Sequence, residues 1–313
     1  MTSPADPVRI ALAPVPSDPL LRAISEAGAQ IAELDTARAV IWDGGPAEFP
    51  AKLPESVEWV QLFSAGVEEF FAAGIFERHP EVVFTSAAGA FARSVAEHTV
   101  ALLLAGVRYL PEQVRARGWR QHEFFPRIGT LRGATVAVVG AGGIGREVIS
   151  LLEPFGADII AVNRSGTPIS APHVVETVPA RRLPEIWSRT DHVVVAAPAT
   201  PDTRHLVGKS ELAQLKPHSW VINVARGSLI DTDALVVALE EGTIGGAGLD
   251  VTDPEPLPDG HPLWDVPNAI ITPHDSNPPR LRTAAFADHV RANVARFVAG
   301  RELIARIDPA AGY

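Results

Sequence analysis

The chain has 313 residues, no cysteine and a formal net charge of −10 at pH 7. This length predicts about two domains, and the lack of cysteine excludes disulfides, thiolate metal sites and cysteine nucleophiles. The excess of acidic residues argues against a nucleic-acid partner, because binding to phosphates requires clustered Lys and Arg. We expect no metal site.

The first seven residues lack the basic start and the apolar run of a signal peptide. The longest apolar stretch, near residues 100–107, falls well short of the roughly 18 residues that a membrane-spanning helix needs. These features predict a cytoplasmic protein that has no membrane partner.

In chain order, short runs rich in Val, Ile and Ala alternate with longer amphipathic stretches. The apolar runs predict strands and the amphipathic stretches predict helices, with Pro- and Gly-containing turns between them. In the first part of the chain the predicted strands are residues 8–12, 39–42, 59–63 and 82–86, and the first predicted helix is residues 18–28. Strands that alternate with helices indicate parallel sheets covered on both faces.

The second part of the chain repeats this pattern more clearly. Its predicted strands are residues 135–139, 158–162, 192–196, 220–224, 246–249 and 269–271, and helices are predicted at residues 145–155 and 232–241. Of two longer segments, residues 92–117 are predicted to be helical for much of their length, and residues 280–300 have apolar residues at roughly helical spacing. Because the second of them follows the last strand, we expect it to cross back to the first half.

A glycine-rich turn, Gly140-Ala141-Gly142-Gly143-Ile144-Gly145, directly follows the predicted strand 135–139 and opens a helical pattern. This is the context in which G-x-G-x-x-G binds a dinucleotide. The first glycine permits the tight turn, the second lets the backbone approach the pyrophosphate, and the third allows close packing of helix and strand. The helix N-terminus then offers N–H groups to the phosphates. The alternative is a glycine-rich turn that binds no ligand.

The tip of the next predicted strand, roughly 20 residues further on, distinguishes NAD(H) from NADP(H). An enzyme that uses NAD(H) normally has Asp or Glu there to bind the ribose hydroxyls, whereas this chain has Asn163, Arg164 and Ser165. Arg164 can bind a 2′-phosphate through charge-assisted hydrogen bonds, and no carboxylate at this tip repels it. We therefore expect NADP(H) to be preferred, with NAD(H) as an alternative cofactor. The other interpretation makes Arg164 a solvent-facing loop residue.

Three segments that follow predicted strands carry side chains suited to hydride transfer to a 2-keto acid, namely Arg226, Glu255 and His274. In an open parallel sheet, ligands bind beyond the carboxyl ends of the strands. Arg226 has a planar guanidinium that suits carboxylate and carbonyl oxygens. His274 can give and regain a proton near neutral pH, and Glu255 can accept from its other ring nitrogen and fix the tautomer.

Each of these three residues also has a purely structural interpretation. Arg226 can pair with Asp231 or a helix terminus, His274 is one of ten histidines, and Glu255 lies in a proline-rich loop with other acidic residues. The joint occurrence of the three after a dinucleotide-binding turn favours the catalytic interpretation.

With these motifs in order, the chain resembles the D-isomer-specific 2-hydroxyacid dehydrogenase family across nearly all of its length. The markers are Ser94-Val95-Ala96-Glu97-His98, the turn from Gly140 to Gly145, Asn223-Val224-Ala225-Arg226-Gly227, Asp250, Glu255-Pro256-Leu257-Pro258 and Thr272-Pro273-His274. The lack of an acidic residue at position 163 makes the chain similar to the glyoxylate and hydroxypyruvate reductases that use NADPH.

The resemblance implies an α/β fold of two doubly wound parallel-sheet domains with a cleft between them. A flavodoxin-like substrate domain would contain residues 1–99 and 282–313, and a Rossmann cofactor domain would contain residues 100–281. The resemblance also implies a homodimer, with the helical region from Glu97 onward at the interface. Alternatively, this helix faces its own domain.

The resemblance also assigns roles to individual residues. Arg226 would bind the substrate, with His274 as the acid and base and Glu255 as its orienting partner. Ser64-Ala65-Gly66 would offer backbone N–H groups to the substrate carboxylate, and Asp250 would contact the carboxamide side of the nicotinamide. The residues expected to contact the cofactor are Gly140, Gly142, Gly143, Ile144, Gly145, Asn163, Arg164, Ser165, Pro198, Ala225 and Asp250.

One segment departs from the family. Relatives often follow the catalytic histidine with a small or apolar residue and then a glycine-containing helix start, whereas this chain has Asp275-Ser276-Asn277-Pro278-Pro279. Asp275 is either a second carboxylate neighbour of the imidazole or a cap for the next helix, beside Asn277. This difference leaves the shape of the pocket, and therefore the substrate, open.

The sequence thus predicts an oxidoreductase that transfers a hydride between NADP(H) and a small 2-keto or 2-hydroxy acid, such as glyoxylate or hydroxypyruvate, with D-stereospecificity. A dehydrogenase for phosphoglycerate or for bulkier 2-hydroxy acids is an alternative; the side chains available for a larger apolar pocket are Phe63, Trp119, Phe124 and Phe125. A non-catalytic, dinucleotide-sensing binding protein on the same fold is the alternative from another class of function, since such proteins retain much of the triad.

Overall fold

The computed structural model describes residues 7–310 and 312 of the chain. The chain divides into two compact units: unit 1 contains Met1–Phe91 and Pro278–Tyr313, and unit 2 contains Ala92–Asn277. The boundaries expected from the sequence, 99/100 and 281/282, fall inside helices, and the division follows the ends of these helices because each packs in one unit. The prediction about a signal peptide concerns residues 1–7, of which 1–6 lie outside the described residues.

The N-terminal part of unit 1 forms a five-stranded sheet whose neighbouring strands are parallel. Strands β1 (Arg9–Ala13), β2 (Gln30–Ile31), β3 (Ala39–Trp42), β4 (Trp59–Leu62) and β5 (Val83–Thr85) lie in the order β2-β1-β3-β4-β5. Its helices are α1 (Asp18–Glu26), α2 (Glu68–Ala72) and α3 (Ile75–Arg78). Every residue of β3 and β4 is buried, as expected of parallel strands covered on both faces.

Unit 2 begins with helices α4 (Ala92–Val107), α5 (Leu110–Arg115) and α6 (Gln121–Phe124). The strands that follow are β6 (Thr135–Val139), β7 (Asp158–Asn163), β8 (Val174–Pro179), β9 (His192–Val195), β10 (Trp220–Asn223), β11 (Gly246–Leu249) and β12 (Ala269–Ile271). The helices among them are α7 (Gly143–Leu152), α8 (Lys209–Leu212) and α9 (Thr232–Glu240). The seven strands form one sheet in the order β12-β11-β10-β9-β6-β7-β8, with parallel neighbours.

The strand order of unit 2 reverses at β6. Strands β7 and β8 follow on one side of β6, and β9 to β12 follow on the other side. At such a switch point the loops after the strands diverge and leave a crevice at the carboxyl ends, which is where this type of sheet binds ligands. The glycine-rich turn after β6 lies at this point.

The helical segment expected over residues 92–117 is two helices rather than one. Helix α4 ends at Val107, Tyr109 has a left-handed φ of 55°, and Pro111 stands in the first turn of α5. Proline cannot continue a helix, because it lacks an N–H group and its ring clashes with the carbonyl four residues earlier. That carbonyl, on Val107, instead accepts a hydrogen bond from Gly129 N (2.9 Å).

The last helix, α10 (Pro279–Val298), belongs to unit 1 and packs against α1. Its side chains Phe286, Val290 and Val294 are fully buried in the same core as Ile10 and Ile24. Helix α10 thus belongs to the same compact unit as the first part of the chain.

A buried polar network joins α10 and the end of the chain to β4. Asn293 donates to Gln61 Oε1 (2.8 Å) and to Ile304 O (3.0 Å), and its Oδ1 accepts from Ile304 N (2.7 Å). Gln61 in turn donates to Ser86 O (3.0 Å). Because these buried groups satisfy one another, they specify a single arrangement of the elements that carry them. The network thereby fixes the strand that ends just before Ser64.

Both units are α/β folds built on parallel sheets, so the fold class expected from the sequence is confirmed. Within residues 7–310 and 312, none of the helices combines the length and the apolar character that crossing a bilayer requires.

Candidate active site

The turn after β6 packs closely against its own sheet and leaves space in front of α7. A Cβ on Gly140, which has a φ of 100°, would lie 2.4 Å from Ala197 N. A Cβ on Gly145 would lie 2.4 Å from Gly140 O. Packing inside the protein therefore requires glycine at both positions. A Cβ on Gly142, by contrast, would have no described heavy atom within 4 Å apart from its neighbours along the chain.

The open space at Gly142 fits a bound dinucleotide. Gly143 and Ile144 form the first turn of α7, where backbone N–H groups have no partner within the helix and the dipole attracts anions. A pyrophosphate that approaches Gly142 would meet these groups. Gly142, Gly143 and Ile144 border this open space, whereas Gly140 and Gly145 shape the turn that carries them. Contact of these five residues with a cofactor stays a prediction.

The tip of β7 is a tight turn that the Asn163 side chain closes. Its Oδ1 accepts from Gly166 N (2.6 Å), and its Nδ2 donates to Thr167 O (2.8 Å). Ser165 Oγ lies 2.6 Å from Thr167 Oγ1. These bonds stabilise a turn with Arg164 exposed at its tip, in the region where this class of fold binds the ribose of a dinucleotide.

The two remaining cofactor candidates follow β9 and β10. Pro198 is exposed, and its carbonyl accepts from Thr203 Oγ1 (2.8 Å). Ala225 is buried, and its N–H group donates to Asn223 Oδ1 (3.1 Å). Both residues thus lie at the carboxyl ends of their strands, the same edge of the sheet as Gly140.

Arg226 lies in a loop that a buried amide holds in place. Asn223, which is 1% exposed, donates from Nδ2 to Arg226 O (2.8 Å). Arg226 Nη1 donates to the preceding carbonyl, Ala225 O (2.7 Å). Asn223 therefore forms hydrogen bonds with the backbone of both Ala225 and Arg226. These bonds fix the backbone from which the Arg226 side chain extends.

The next residue, Gly227, lies directly against the loop that leads to Glu255. A Cβ on Gly227 would lie 1.9 Å from Thr252 O and 2.5 Å from Asp253 N. Thr232 Oγ1 also donates to Asp253 O (2.7 Å). The loops after β10 and β11 are thus in backbone contact, and this contact has no room for a side chain.

His274 and Glu255 form a close pair in unit 2. His274 Nδ1 lies 2.7 Å from Glu255 Oε1, and Thr252 N donates to Glu255 Oε2 (3.3 Å). An ionised carboxylate only accepts hydrogen bonds, so Nδ1 carries a proton and Nε2 is the ring nitrogen that can exchange one with a substrate. The side chains of His274 and Glu255 are 50% and 41% exposed, so solutes can reach the pair.

His274 has an unusual backbone conformation. Its φ is 52°, a left-handed value that costs a non-glycine residue on the order of 1–3 kcal/mol. Its N–H group lies 2.9 Å from Asp250 O and 3.0 Å from Thr272 O and donates to both. Such strain persists only where the surroundings fix it. The segment of residues 272–276, called the His274 loop below, is therefore a firmly held part of the site.

The buried carboxylate of Asp250 holds the His274 loop. Its Oδ1 accepts from Thr272 Oγ1 (2.6 Å) and Asp275 N (3.1 Å), and its Oδ2 accepts from Ser276 N (3.2 Å). Burial acts to raise the pKa of Asp250, but hydrogen bonds from Ser276 and Thr272, with the nearby His98, hold this pKa below its ordinary value. The carboxylate is thus charged at neutral pH. Its contact with the nicotinamide stays a prediction, whereas in the structure the carboxylate contacts this loop and lies 3.5 Å from His98 Nε2.

The segment that departs from the family forms part of this arrangement. Helix α10 starts at Pro279 after Pro278, and no side chain caps it, so the alternative that Asp275 caps this helix is wrong. Proline in the first turn has no N–H group to be capped there. The Asp275 carboxylate instead lies near Asp250 and His98, with candidate ligand atoms of the three residues within 4.8 Å of one another.

Ser64-Ala65-Gly66 lies in unit 1, and Phe63 separates it from the end of β4. Ala87 N donates to Ser64 O (2.9 Å). The ring of the preceding Phe63 packs on Phe286, with centroids 4.6 Å apart, and the guanidinium of Arg282 lies 4.8 Å from the Phe63 centroid. These contacts fix the turn within unit 1, whereas the three predicted catalytic residues belong to unit 2.

Four residues that organise the site were not among the predicted site residues, namely Ser94, His98, Gly227 and Thr272. All four belong to motifs that carry the family resemblance. The spacing of Ser94 and His98 also places them on one face of a helix. Their partners could not be predicted, because the local sequence does not say which distant loop packs on that face.

Comparison with known proteins shows what the chain is similar to. Residues 99–276 match the model of the NAD binding domain of the D-isomer specific 2-hydroxyacid dehydrogenases. The chain is 36% identical over 289 residues to an uncharacterized protein of Corynebacterium melassecola. This alignment covers 91% of this chain and 92% of that protein. It is 32% identical over 276 residues to the glyoxylate reductase of Thermofilum pendens, across 83% of this chain and 75% of that enzyme.

Other matches differ in substrate or are solved structures. The chain is 36% identical over 198 residues to the D-3-phosphoglycerate dehydrogenase of Methanocaldococcus jannaschii, across 62% of this chain but only 37% of that enzyme. The D-isomer specific 2-hydroxyacid dehydrogenase of Xanthobacter autotrophicus Py2, solved in complex with NADPH and MES, superposes with a TM-score of 0.80 at 28% identity. That alignment covers 99% of this chain and 100% of the other.

The fold, the dinucleotide turn and these matches define an NAD(P)-dependent oxidoreductase that acts on CH–OH groups. The chain belongs to the D-isomer specific 2-hydroxyacid dehydrogenase family. The resemblance inferred from the sequence motifs and the enzyme class inferred from it are both confirmed.

The contact of Gly227 with Thr252 generates a testable prediction. We expect Gly227→Ala to push the two loops apart, because a Cβ meets backbone that cannot move aside as a flexible side chain does. Misplacement of reacting groups by about 1 Å can cost about 100-fold in rate, so kcat/KM should fall by about this factor in steady-state assays.

The matched control is Gly118→Ala, where the nearest atom to the new Cβ is Ala116 O at 3.8 Å. The control should keep wild-type kinetics, and thermal melting should show that both variants fold. Wild-type kcat/KM in a folded Gly227→Ala variant would contradict a role of this contact in catalysis.

Proposed function

We propose that the protein uses NADPH to reduce a small 2-keto acid, such as glyoxylate or hydroxypyruvate, with D-stereospecificity where the product is chiral. The observation that carries this proposal is the 2.7 Å pair of His274 Nδ1 and Glu255 Oε1. The backbone contact at Gly227 supports it, because that contact ties the loop of Arg226 to the loop of Glu255. Similarity to a glyoxylate reductase over 83% of the chain supports the substrate class.

Each side chain has a defined task in this reaction. The bound nicotinamide supplies the hydride that the carbonyl carbon receives. Arg226 binds the carboxylate and carbonyl oxygens with its planar guanidinium and stabilises the negative charge that develops. His274 donates the Nε2 proton to the carbonyl oxygen, and Glu255 holds Nδ1–H and stabilises the charged imidazole before transfer. Ser64-Ala65-Gly66 binds the carboxylate through backbone N–H groups.

The tip of β7 supports a preference for NADP(H). Asn163 closes the turn, and Arg164 is exposed at the tip, where a guanidinium can bind a 2′-phosphate. The presence of NADPH in the similar structure from Xanthobacter autotrophicus Py2 supports this choice. Asp250 completes the cofactor site at its nicotinamide end, together with Pro198 and Ala225 at the ends of β9 and β10.

A homodimer also belongs to the proposal. Residues 110–125 carry several large apolar side chains that solvent reaches, the most exposed being Trp119 (90%), Val114 (79%) and Phe125 (62%). Exposed apolar groups that cluster in this way are typical of a protein–protein interface. The cytoplasmic location expected from the sequence stays a prediction.

The first test is turnover. The wild-type enzyme should consume NADPH with glyoxylate or hydroxypyruvate, measured as loss of the reduced-nicotinamide absorbance. His274→Asn should lower kcat by about 10²–10⁴-fold, the usual contribution of a general acid, and should leave the Kd of NADPH unchanged. Glu255→Gln should lower kcat less, because the imidazole keeps its proton-transfer atom.

The matched control is His173→Asn, since His173 is also exposed and also has a left-handed φ, of 60°. Retained turnover in His274→Asn would refute the role of His274. Turnover with 3-phosphohydroxypyruvate or phenylpyruvate alone would move the enzyme to another substrate class. Tight NADPH binding without turnover of any 2-keto acid would favour the dinucleotide-sensing alternative.

The second test concerns the cofactor. Arg164→Ala should raise the KM for NADPH by about 10- to 100-fold, because a hydrogen bond to a charged group contributes about 1.5–3 kcal/mol. The KM for NADH should stay the same, since NADH has no 2′-phosphate. Arg181→Ala, which changes an exposed arginine elsewhere in unit 2, is the control. An equal effect of Arg164→Ala on both cofactors would remove the phosphate-binding role.

The third test concerns the dimer. Sedimentation equilibrium should give twice the chain mass of 33.3 kDa. The double variant Val114→Asp, Trp119→Asp should shift the mass to that of one chain, because burying two carboxylates in an apolar interface is unfavourable. A wild-type mass of one chain at all concentrations would contradict the dimer.

A further inference from the structure

Two polar side chains of α4 hold the His274 loop on either side of His274. Ser94 Oγ donates to Ser276 O (2.7 Å), and His98 Nε2 lies 2.9 Å from Thr272 Oγ1. Residues four positions apart lie on one face of a helix, so Ser94 and His98 contact the loop from one surface. We call these two residues the α4 anchor.

The donor and the acceptor of each hydrogen bond in this contact can be assigned. Thr272 has a single hydroxyl proton, and the 2.6 Å distance to Asp250 Oδ1 shows that the hydroxyl donates to this charged carboxylate. Thr272 Oγ1 must therefore accept from His98, so His98 Nε2 carries a proton. The same nitrogen lies 3.5 Å from Asp250 Oδ1. His98 thus donates to Thr272, which donates to Asp250.

We propose that Ser94 and His98 are positioning residues for the acid–base step at His274. The α4 anchor holds the loop that keeps His274 at its left-handed φ of 52° and aims the imidazole at Glu255. Proton transfer requires reacting atoms at hydrogen-bond distance, so release of the loop lowers the rate without removing a catalytic group. The inference rests on the proposed function, because it takes His274 as the acid and base.

A cation site is the competing interpretation of the same cluster. His98, Asp250 and Asp275 have candidate ligand atoms within 4.8 Å of one another. However, Thr272 Oγ1–H and the backbone N–H groups of Asp275 and Ser276 are directed at the Asp250 carboxylate. The protonated His98 Nε2 has no lone pair to offer a metal. A positioning role accounts for these contacts, whereas a metal would have to displace them.

The α4 positions that solvent reaches lie beside the α4 anchor, whereas the face opposite the anchor, with Ala96 and Leu103, is buried. The Arg93 and Glu97 side chains are 86% and 64% exposed.

Hydrogen exchange of the full-length, ligand-free protein tests the anchor without any substrate. The amides of Asp275 and Ser276 donate to Asp250, so exchange there reports on release of the loop. In His98→Leu we expect the exchange of these two amides to accelerate about tenfold or more. His98→Gln should stay within about threefold of wild type, because its amide N–H can replace Nε2–H as the donor.

Kinetics test the consequence for catalysis. His98→Leu and Thr272→Val should lower kcat by about 10- to 100-fold, leave the Kd of NADPH unchanged and increase the solvent deuterium isotope effect on kcat, because proton transfer becomes rate-limiting. His98→Gln and Thr272→Ser should restore both values. The control is Thr99→Val, which removes a hydroxyl that donates to Val95 O (2.7 Å) within α4.

The outcomes separate this inference from the proposed function. Wild-type exchange and wild-type kcat in His98→Leu would overturn the anchor, as would equal losses in His98→Leu and His98→Gln. If substitutions at His98 prevent folding, Ser94→Ala can be compared with Ser94→Thr instead. Ser94→Ala removes the hydroxyl that donates to Ser276 O, and Ser94→Thr keeps it. If the wild type reduces no 2-keto acid, the proposed function fails while the exchange result still decides whether α4 holds the loop.

Discussion

The Asp250 carboxylate lies at the carboxyl end of β11, 1% exposed, and one short loop supplies three of its hydrogen-bond donors. A charge removed from water is stable only where hydrogen bonds replace its hydration. The carboxylate therefore fixes the His274 loop, and the loop in turn keeps the carboxylate ionised. The same residue accepts the N–H group of His274 through its backbone carbonyl. The geometry of the His274–Glu255 pair thus depends on a residue that need not take part in proton transfer.

The residue types of the site could be predicted from the sequence, but the contacts that assemble it could not. Arg226, Glu255 and His274 follow predicted strands, and the carboxyl ends of parallel strands share one edge. A Cβ on Gly227 would lie 1.9 Å from Thr252 O. Apart from the glycine itself, nothing in the neighbouring sequence predicts this close contact. The bond from His98 to Thr272 joins residues 174 positions apart, and spacing within one helix does not name such a partner.

Buried strands could be predicted from the sequence more accurately than exposed ones. Strands β3, β6 and β11 have the bounds expected from the sequence, because strands covered on both faces are continuous apolar runs. The strands β2 and β8 were missed. Both residues of β2 are exposed, and β8 mixes exposed and buried positions at the edge of its sheet. The helix breaks after Val107 because Pro111 stands in the first turn of α5. The spacing of apolar residues gives no information about such a break.

The return of α10 to unit 1 determines the order in which the chain can fold during synthesis. The core around Ile10 and Ile24 needs Phe286, Val290 and Val294 from the end of the chain. The first 91 residues therefore leave the ribosome with this core incomplete, whereas Ala92–Asn277 is one continuous unit. Since domains generally fold as units during translation, residues 92–277 can reach their native state before the core around Ile10 and Ile24 is complete.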